Sequence, residues 1–374
     1  MRRILNTSAF LLFLFACDAG AASRALNIVL PVKGDTIAND MNKAGQVAAV
    51  FEDDDGRQHG LYFEKGKLIE LGTLGGKESE ARRINDKGVI VGSSSKRDGT
   101  WRAFLYDRAG GMQELGTLGG SSSHGSAINN SGAVVGSADL ANGDWHAFVC
   151  QPGEALKDLG TLGGKISYAT AINNKGQIVG AAANPEQYRH AFYYDSVRGM
   201  VDLGTLGGRA SVATSINDKG EVVGSSEMPD RSWHAFSYDG KRMQDLGKLI
   251  SEGDSYATAI NNAGHVVGTV LSEDQRYSFV WRDGKMNLHY SGKGLYLTNA
   301  INDAELVIGA TRDERGLTAA TMLSSAVPFI DRGGANLLSM IVLVLVTAVA
   351  AVLYRRRYRG MTLEGFIGMD ILAK

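Results

Sequence analysis

The chain has 374 residues, with 39 Lys and Arg against 40 Asp and Glu, and 44% of its residues are hydrophobic. The near-zero charge lacks the basic surplus of a nucleic-acid binder, and the length allows a large core. Gly at 48 and Pro at 5 suit many tight turns, and two cysteines, Cys17 and Cys150, exclude a disulfide framework.

The N-terminus reads as a targeting segment. Met1-Arg2-Arg3 is a positive start, and Ala9 to Ala16 is apolar but too short to span a membrane, so residues 1–21 are predicted to be a signal peptide. Two processing routes stay open. Ala19-Gly20-Ala21 suits ordinary signal peptidase, whereas Leu14-Phe15-Ala16-Cys17 resembles a lipobox that would leave Cys17 lipidated, although Phe15 is unusual there.

Residues 26–325 are organised by repetition. The string LGTLGG begins at Leu71, Leu115, Leu159 and Leu203, always 44 residues apart, with a degenerate copy at Leu246. Each is followed by Ile-Asn, two residues, Gly and an apolar run. The asparagines are Asn42, Asn85, Asn129, Asn173, Asn217, Asn261 and Asn302, spaced 43, 44, 44, 44, 44 and 41. A fixed period of this length marks a repeat architecture. The unit around Asn173 predicts four strands, at Ser167 to Ile172, Gln177 to Ala181, His190 to Tyr194 and Met200 to Leu203. The Asn-x-x-Gly turn suits a short hairpin because both residues tolerate positive φ. Four antiparallel strands per unit, seven units in all, predict an all-β seven-bladed β-propeller rather than a β-solenoid.

The last unit lacks a fourth strand. Leu26-Asn27-Ile28-Val29-Leu30-Pro31 aligns where that strand belongs, so the N-terminal segment is expected to complete the seventh blade, with Ala326 to Ile330 the competing candidate. Residues 326–334 form a linker, and 335–354 are predicted to be a transmembrane helix, since Leu337 to Tyr354 carries no charge. Arg355-Arg356-Arg357-Tyr358-Arg359 then places the tail, 355–374, in the cytoplasm and the propeller on the exported side.

The third strands read Arg102-Ala103-Phe104, His146-Ala147-Phe148, His190-Ala191-Phe192 and His234-Ala235-Phe236. Together with LGTLGG and the Ile-Asn motif, this resembles the bacterial extracellular HAF-repeat family over roughly residues 35–323. The resemblance implies an exported or surface-associated repeat protein of the bacterial cell envelope, without a defined activity. HAF proteins often end in a sorting tail; here Gly360 to Lys374 continue past the arginines, which favours a plain anchor.

Chemistry is sparse. The first strand of a propeller blade lines the channel, and the third residue before each asparagine is Asn39, Arg82, Ser126, Thr170, Thr214, Thr258 or Asn299. Of the acids, Asp40 and Glu80 come nearest to the paired carboxylates of acid–base work, but they belong to different blades. His59, His146, His190 and His234 recur at one third-strand position, replaced by Arg102 and Ser278 elsewhere. Equivalent positions on successive blades lie far beyond ligand distances of ~2 Å, so these histidines are expected to bond a neighbouring strand and not a metal. Glu52-Asp53-Asp54-Asp55-Gly56 has the flavour of a calcium loop but lacks EF-hand spacing, and reads as a solvated turn. No metal or cofactor is expected. The loops between second and third strands vary in sequence and carry aromatics, so Trp101, Trp145, Tyr188, Trp233 and Tyr277 are the candidate ligand-binding residues, for an envelope protein or glycan. The expected function is a membrane-anchored binding or scaffold module. A hydrolase or lyase using the loop face and a purely structural surface protein are the alternatives, and whether any catalysis occurs is left open.

Overall fold

The computed structural model describes residues 28–29, 35–249, 253–272, 275–290, 297–312 and 318–324. The first compact unit, Met1–Val327, carries them all, and the second is Pro328–Lys374. The leader, Cys17, the linker, the apolar run 335–354 and the tail lie outside the described residues, as does Ala326 to Ile330. Among the described residues no helix is long and apolar enough to cross a membrane.

Seven four-stranded antiparallel sheets form the blades of a β-propeller. Blade 4 runs Ser167–Ile172, Ile178–Ala183, Arg189–Asp195 and Gly199–Asp202, close to the predicted strands. The inner strands of blades 1, 2 and 3 are Thr36–Met41, Ser79–Ile84 and Gly119–Ile128. Those of blades 5, 6 and 7 are Ser211–Ile216, Asp254–Ile260 and Leu297–Ile301. Ile28–Val29 pairs with Thr318–Ser324 as the fourth strand of blade 7, so the N-terminal segment closes the ring as expected. The side chain of Asn299 also donates to the carbonyl of Ala38 at 2.9 Å across the same junction.

The core lies between blades. Val135 and Val149 of blade 3 pack with Ile178 and Phe192 of blade 4, and Leu61 of blade 1 packs with Ile308 and Met322 of blade 7. Burying each of these large side chains is worth about 1.5–3 kcal/mol. Close approach within a blade demands glycine: a Cβ on Gly180 would stand 2.0 Å from the Tyr168 carbonyl oxygen and 2.8 Å from the Phe192 ring. Blade 1 solves the same contact differently. Ala49 holds the glycine register and Leu61 replaces the phenylalanine, a smaller ring-side partner for a larger backbone-side one.

LGTLGG is the joint between blades. Gly160 and Gly163 sit at φ 75° and 106°, and a Cβ on Gly164 would come within 2.6 Å of Ala183 and the Asn184 carbonyl. The Thr161 hydroxyl bonds the Gly164 carbonyl at 2.8 Å, bracing the turn. Buried Ser167 then donates to the Gly160 carbonyl at 2.5 Å and accepts from the Ala147 amide of the preceding blade at 2.8 Å. The repeated glycines therefore set chain direction.

Candidate functional site

Every inner strand carries a β-bulge at one place. In blade 2 the register passes from Ala81–Gly92 to Arg83–Val91, leaving Arg82 as the extra residue. The equivalent extra residues are Asn39, Ser126, Thr170, Thr214, Thr258 and Asn299. A bulge re-aims its side chain, and these seven line the central channel, a cavity of about 580 Å³, as the sequence suggested.

Most of these side chains fasten the ring. Asn39 donates to the Ala81 carbonyl of blade 2 at 2.8 Å, Thr170 to Ala213 of blade 5 at 2.7 Å, and Thr214 to Ala257 of blade 6 at 2.8 Å. Asn299 does the same to Ala38 of blade 1. Blades 2, 3 and 6 depart from this use, and among the described residues Thr258 of blade 6 bonds only the Val267 carbonyl of its own blade, at 3.2 Å. Arg82 turns within its own strand onto Glu80, with Nη2 to Oε2 at 2.6 Å and Nε to Oε2 at 3.0 Å. The Ser126 hydroxyl makes no bond to another protein group among the described residues. Arg83 reaches into the channel beside Arg82, its Nη1 donating to the carbonyls of Asn39 at 3.3 Å and Arg82 at 3.2 Å. Among the channel-lining residues the charged groups all come from blade 2. Burial pushes the neighbouring Asp40 carboxyl up, while Arg83 and the amide of Ile84 pull it down.

The same sector carries an aromatic stack. His124, on the inner strand of blade 3, has its ring 5.7 Å from that of Trp101 and 5.5 Å from that of Trp145. Burial holds the His124 imidazole below the ordinary histidine range, and the Arg82 charge adds to it, with Glu80 and Asp139 opposing. The stack therefore contains a neutral imidazole at pH 7. Offset aromatic contacts of this kind are worth about 0.5–1.5 kcal/mol beyond burial.

The five aromatics singled out from sequence do not form one patch. Trp101, Trp145 and Trp233 share a strand register, opposite Ser95, Asp139 and Glu227. Their main chains are tied to the next blade: Trp101 N to Ser122 Oγ at 3.3 Å, Trp145 by a bridge to Ile166, and Trp233 N to Asp254 Oδ1 at 2.8 Å. Tyr188 lies one residue earlier than that register and is 39% exposed, with the Arg209 guanidinium 5.5 Å above its ring. Tyr277 lies one residue later and packs against the apolar cluster that contains Val270 and Phe279. Trp233 stacks instead on Tyr256, whose hydroxyl is pushed up to about 12 by burial and Asp254. Only Trp101 and Trp145 are brought together, through His124. That histidine lies outside the repeat column that forms the channel ring; the column five residues before each asparagine holds Glu80 and His124 as neighbours in successive blades.

The recurring third-strand histidines bond the adjacent outer strand, as expected. His146 meets Asp158 at 2.9 Å, His190 meets Asp202 at 2.8 Å and His234 meets Asp245 at 3.0 Å. Arg102 takes the same place against Glu114 at 3.0 Å. In blade 6 the residue in that register is Tyr277 and not Ser278, which instead lies in the buried alanine register. In the acidic turn of blade 1, Asp53 accepts the amides of Asp55 and Arg57 and bonds His59 at 2.9 Å.

The opposite mouth of the channel is a belt of asparagines. Buried Asn173 donates to the Asn217 carbonyl at 2.9 Å, and Asn217 to Asn261 at 3.0 Å. Each also accepts amides of its own turn through Oδ1, as Asn173 does from Lys175 and Gln177 at 3.0 Å.

Comparison with known proteins adds the following. A model for a family of unknown function, DUF3466, matches residues 35–146, which reach from blade 1 into blade 3. No curated protein matches the chain. Among solved structures, the β-propeller domain of the Trilobed protease from Pyrococcus furiosus aligns with a TM-score of 0.57 at 12% identity, covering 78% of this chain and 96% of that one. The BP39L lectin from Burkholderia pseudomallei gives 0.52 at 11%, covering 78% and 96%. A puromycin-hydrolyzing peptidase from Mycobacterium tuberculosis gives 0.53 at 12%, covering 82% of this chain and 53% of the peptidase. At such identities the likeness is one of fold alone.

Proposed function

We propose that this propeller is a ligand-binding module whose site is the channel mouth in the sector of blades 2 and 3. The observation that carries this reading is the departure of these two adjacent blades from the ring pattern, shared among the described residues only by Thr258 of blade 6. Their channel side chains, Arg82 and Ser126, are not spent on the next blade, and the Trp101–His124–Trp145 stack lies in the same sector. A rigid scaffold that releases side chains from structural duty at one place offers a preorganised site there. Flat aromatic faces beside amide, hydroxyl and guanidinium groups suit a hydroxyl-rich ligand, and a glycan is the class proposed.

The test is a glycan array probed with the full chain and with the Trp101→Ala/Trp145→Ala double variant. The expected result is retention of a glycan subset by the parent and a loss of about 30-fold or more in the variant, which still unfolds in one cooperative transition. Retention unchanged by the substitutions would contradict the reading. Release of a cleaved product from the array would instead favour a hydrolase or lyase at this face.

Cell-envelope placement is part of the proposal and rests on sequence: the leader, the apolar run 335–354, the arginines after it and the HAF resemblance. Protease protection in spheroplasts should spare the 355–374 tail and not the propeller. Mass spectrometry of the mature N-terminus distinguishes a lipidated Cys17 from cleavage after Ala21.

A further inference from the structure

We infer that the ligand presents an anionic, hydroxyl-rich group, as in an acidic sugar, to Arg83 and Arg82 inside the channel. This rests on the binding-module reading and names the ligand class for that same site.

The charge balance of the cavity carries the inference. Its lining holds two guanidinium groups, Arg82 and Arg83, against one carboxylate, Glu80, and Glu80 is committed to Arg82 at 2.6 Å. Carbonyl oxygens rather than a carboxylate hold Arg83 among the described residues, both through Nη1. Its Nε and Nη2 have no protein acceptor among the described residues, and the side chain lines the cavity. A guanidinium in that state is an unfilled half of a fork-type pair, which carboxylates and phosphates complete with two parallel bonds. Asp40 stands near enough to feel Arg83, but it is bonded to the Ile84 amide at 2.9 Å and is not among the lining residues.

The rest of the lining suits the hydroxyls. Ser126 offers an unengaged hydroxyl from the equivalent position of the next blade, and Gln58 adds an amide from blade 1, in the register where other blades place tryptophan. The volume of about 580 Å³ admits a sugar ring and not a folded chain. The aromatic stack in the same sector then contacts the remainder of the ligand.

The experiment compares oligomers of glucuronic acid, oligomers of glucose, and glucose 6-phosphate, bound to the full chain by calorimetry. Three variants follow: Arg83→Gln, Ser126→Asp, and the Trp101→Ala/Trp145→Ala pair. Preference of about tenfold or more for either anion over glucose oligomers supports the inference, and the uronate-to-phosphate ratio assigns the anion. Arg83→Gln should erase that preference. Ser126→Asp, which adds a repelling charge at a side chain without a structural bond, should do the same without touching melting, and guards against misfolding of the arginine variant. Equal binding of glucose and glucuronate oligomers, unmoved by Arg83→Gln but lost in the tryptophan variant, would overturn the anion inference and leave the module standing. No binding of any saccharide, with the tryptophan variant indistinguishable from the parent on the array, would remove the reading beneath it.

Discussion

Blades 4 and 5 share their repeat with blades 2 and 3, yet the two pairs employ the bulged channel residue differently. In blades 4 and 5, Thr170 and Thr214 each donate to the next blade's carbonyl, at 2.7 and 2.8 Å. In blades 2 and 3 the same backbone position holds Arg82, folded onto Glu80, and Ser126, bonded to nothing in the protein among the described residues. One sector contributes to ring stability through polar staples in the channel; the other gives up those channel staples and keeps the bonds from Asn85 to Asn129 and from Ala103 to Ser123 between its blades. A repeat makes such a division visible, because each blade is the control for its neighbours.

The comparison can be attacked first where blade packing is tightest. Gly180→Ala forces a Cβ onto the Tyr168 carbonyl and should cost about 3 kcal/mol or more in chemical denaturation. Adding Phe192→Leu, which recreates the Ala49–Leu61 arrangement of blade 1, should recover part of that loss. Next comes the belt at the far mouth. Asn217→Ala removes bonds to the amides of Lys219 and Glu221 and to the Asn261 carbonyl, and should cost about 2–3 kcal/mol by the same measurement.

A smaller pair of substitutions separates the two sectors directly. Thr214→Val loses its staples and should destabilise by about 1 kcal/mol, whereas Ser126→Ala should stay within about 0.5 kcal/mol of the parent. Equal losses would erase the distinction. The smallest effect is in pH dependence. Because the folded-state affinity of His124 for a proton is depressed, the unfolded chain binds more protons below its ordinary value of 6.5. Stability contributed by neutral His124 is therefore full above about 6.5 and is lost as pH falls toward the folded-state value. Melting curves of the parent should lose ground to His124→Phe on acidification from pH 7 to 5, and a constant difference would contradict the assignment.

Much of this fold was legible because each local signal was repeated. Asn-x-x-Gly turns, LGTLGG joints and the alternating third strands fixed blade number and strand limits, and an N-terminal strand completing blade 7 followed from what the last unit lacked. The channel ring was legible too, since one column of the alignment supplies it. Two things were not. The bulge hides that the bulged residue, Arg82, and the one after it, Arg83, both reach the channel, because strict alternation sends neighbours to opposite faces. And the contact of Trp101 with His124 crosses a blade boundary, where spacing along the chain carries no information about which rings meet. A one-residue displacement in blades 4 and 6, which separates Tyr188 and Tyr277 from the tryptophan register, was invisible for the same reason.

The most direct test is photo-crosslinking of the full chain with a diazirine-tagged form of the array glycan it retains best, followed by peptide mapping. Labelling of Glu80 to Arg83, Trp101, His124 to Ser126 and Trp145 is the expected result. Labelling centred on blades 4 and 5, or on the asparagine belt at the far mouth, would contradict the assignment of function to the sector of blades 2 and 3.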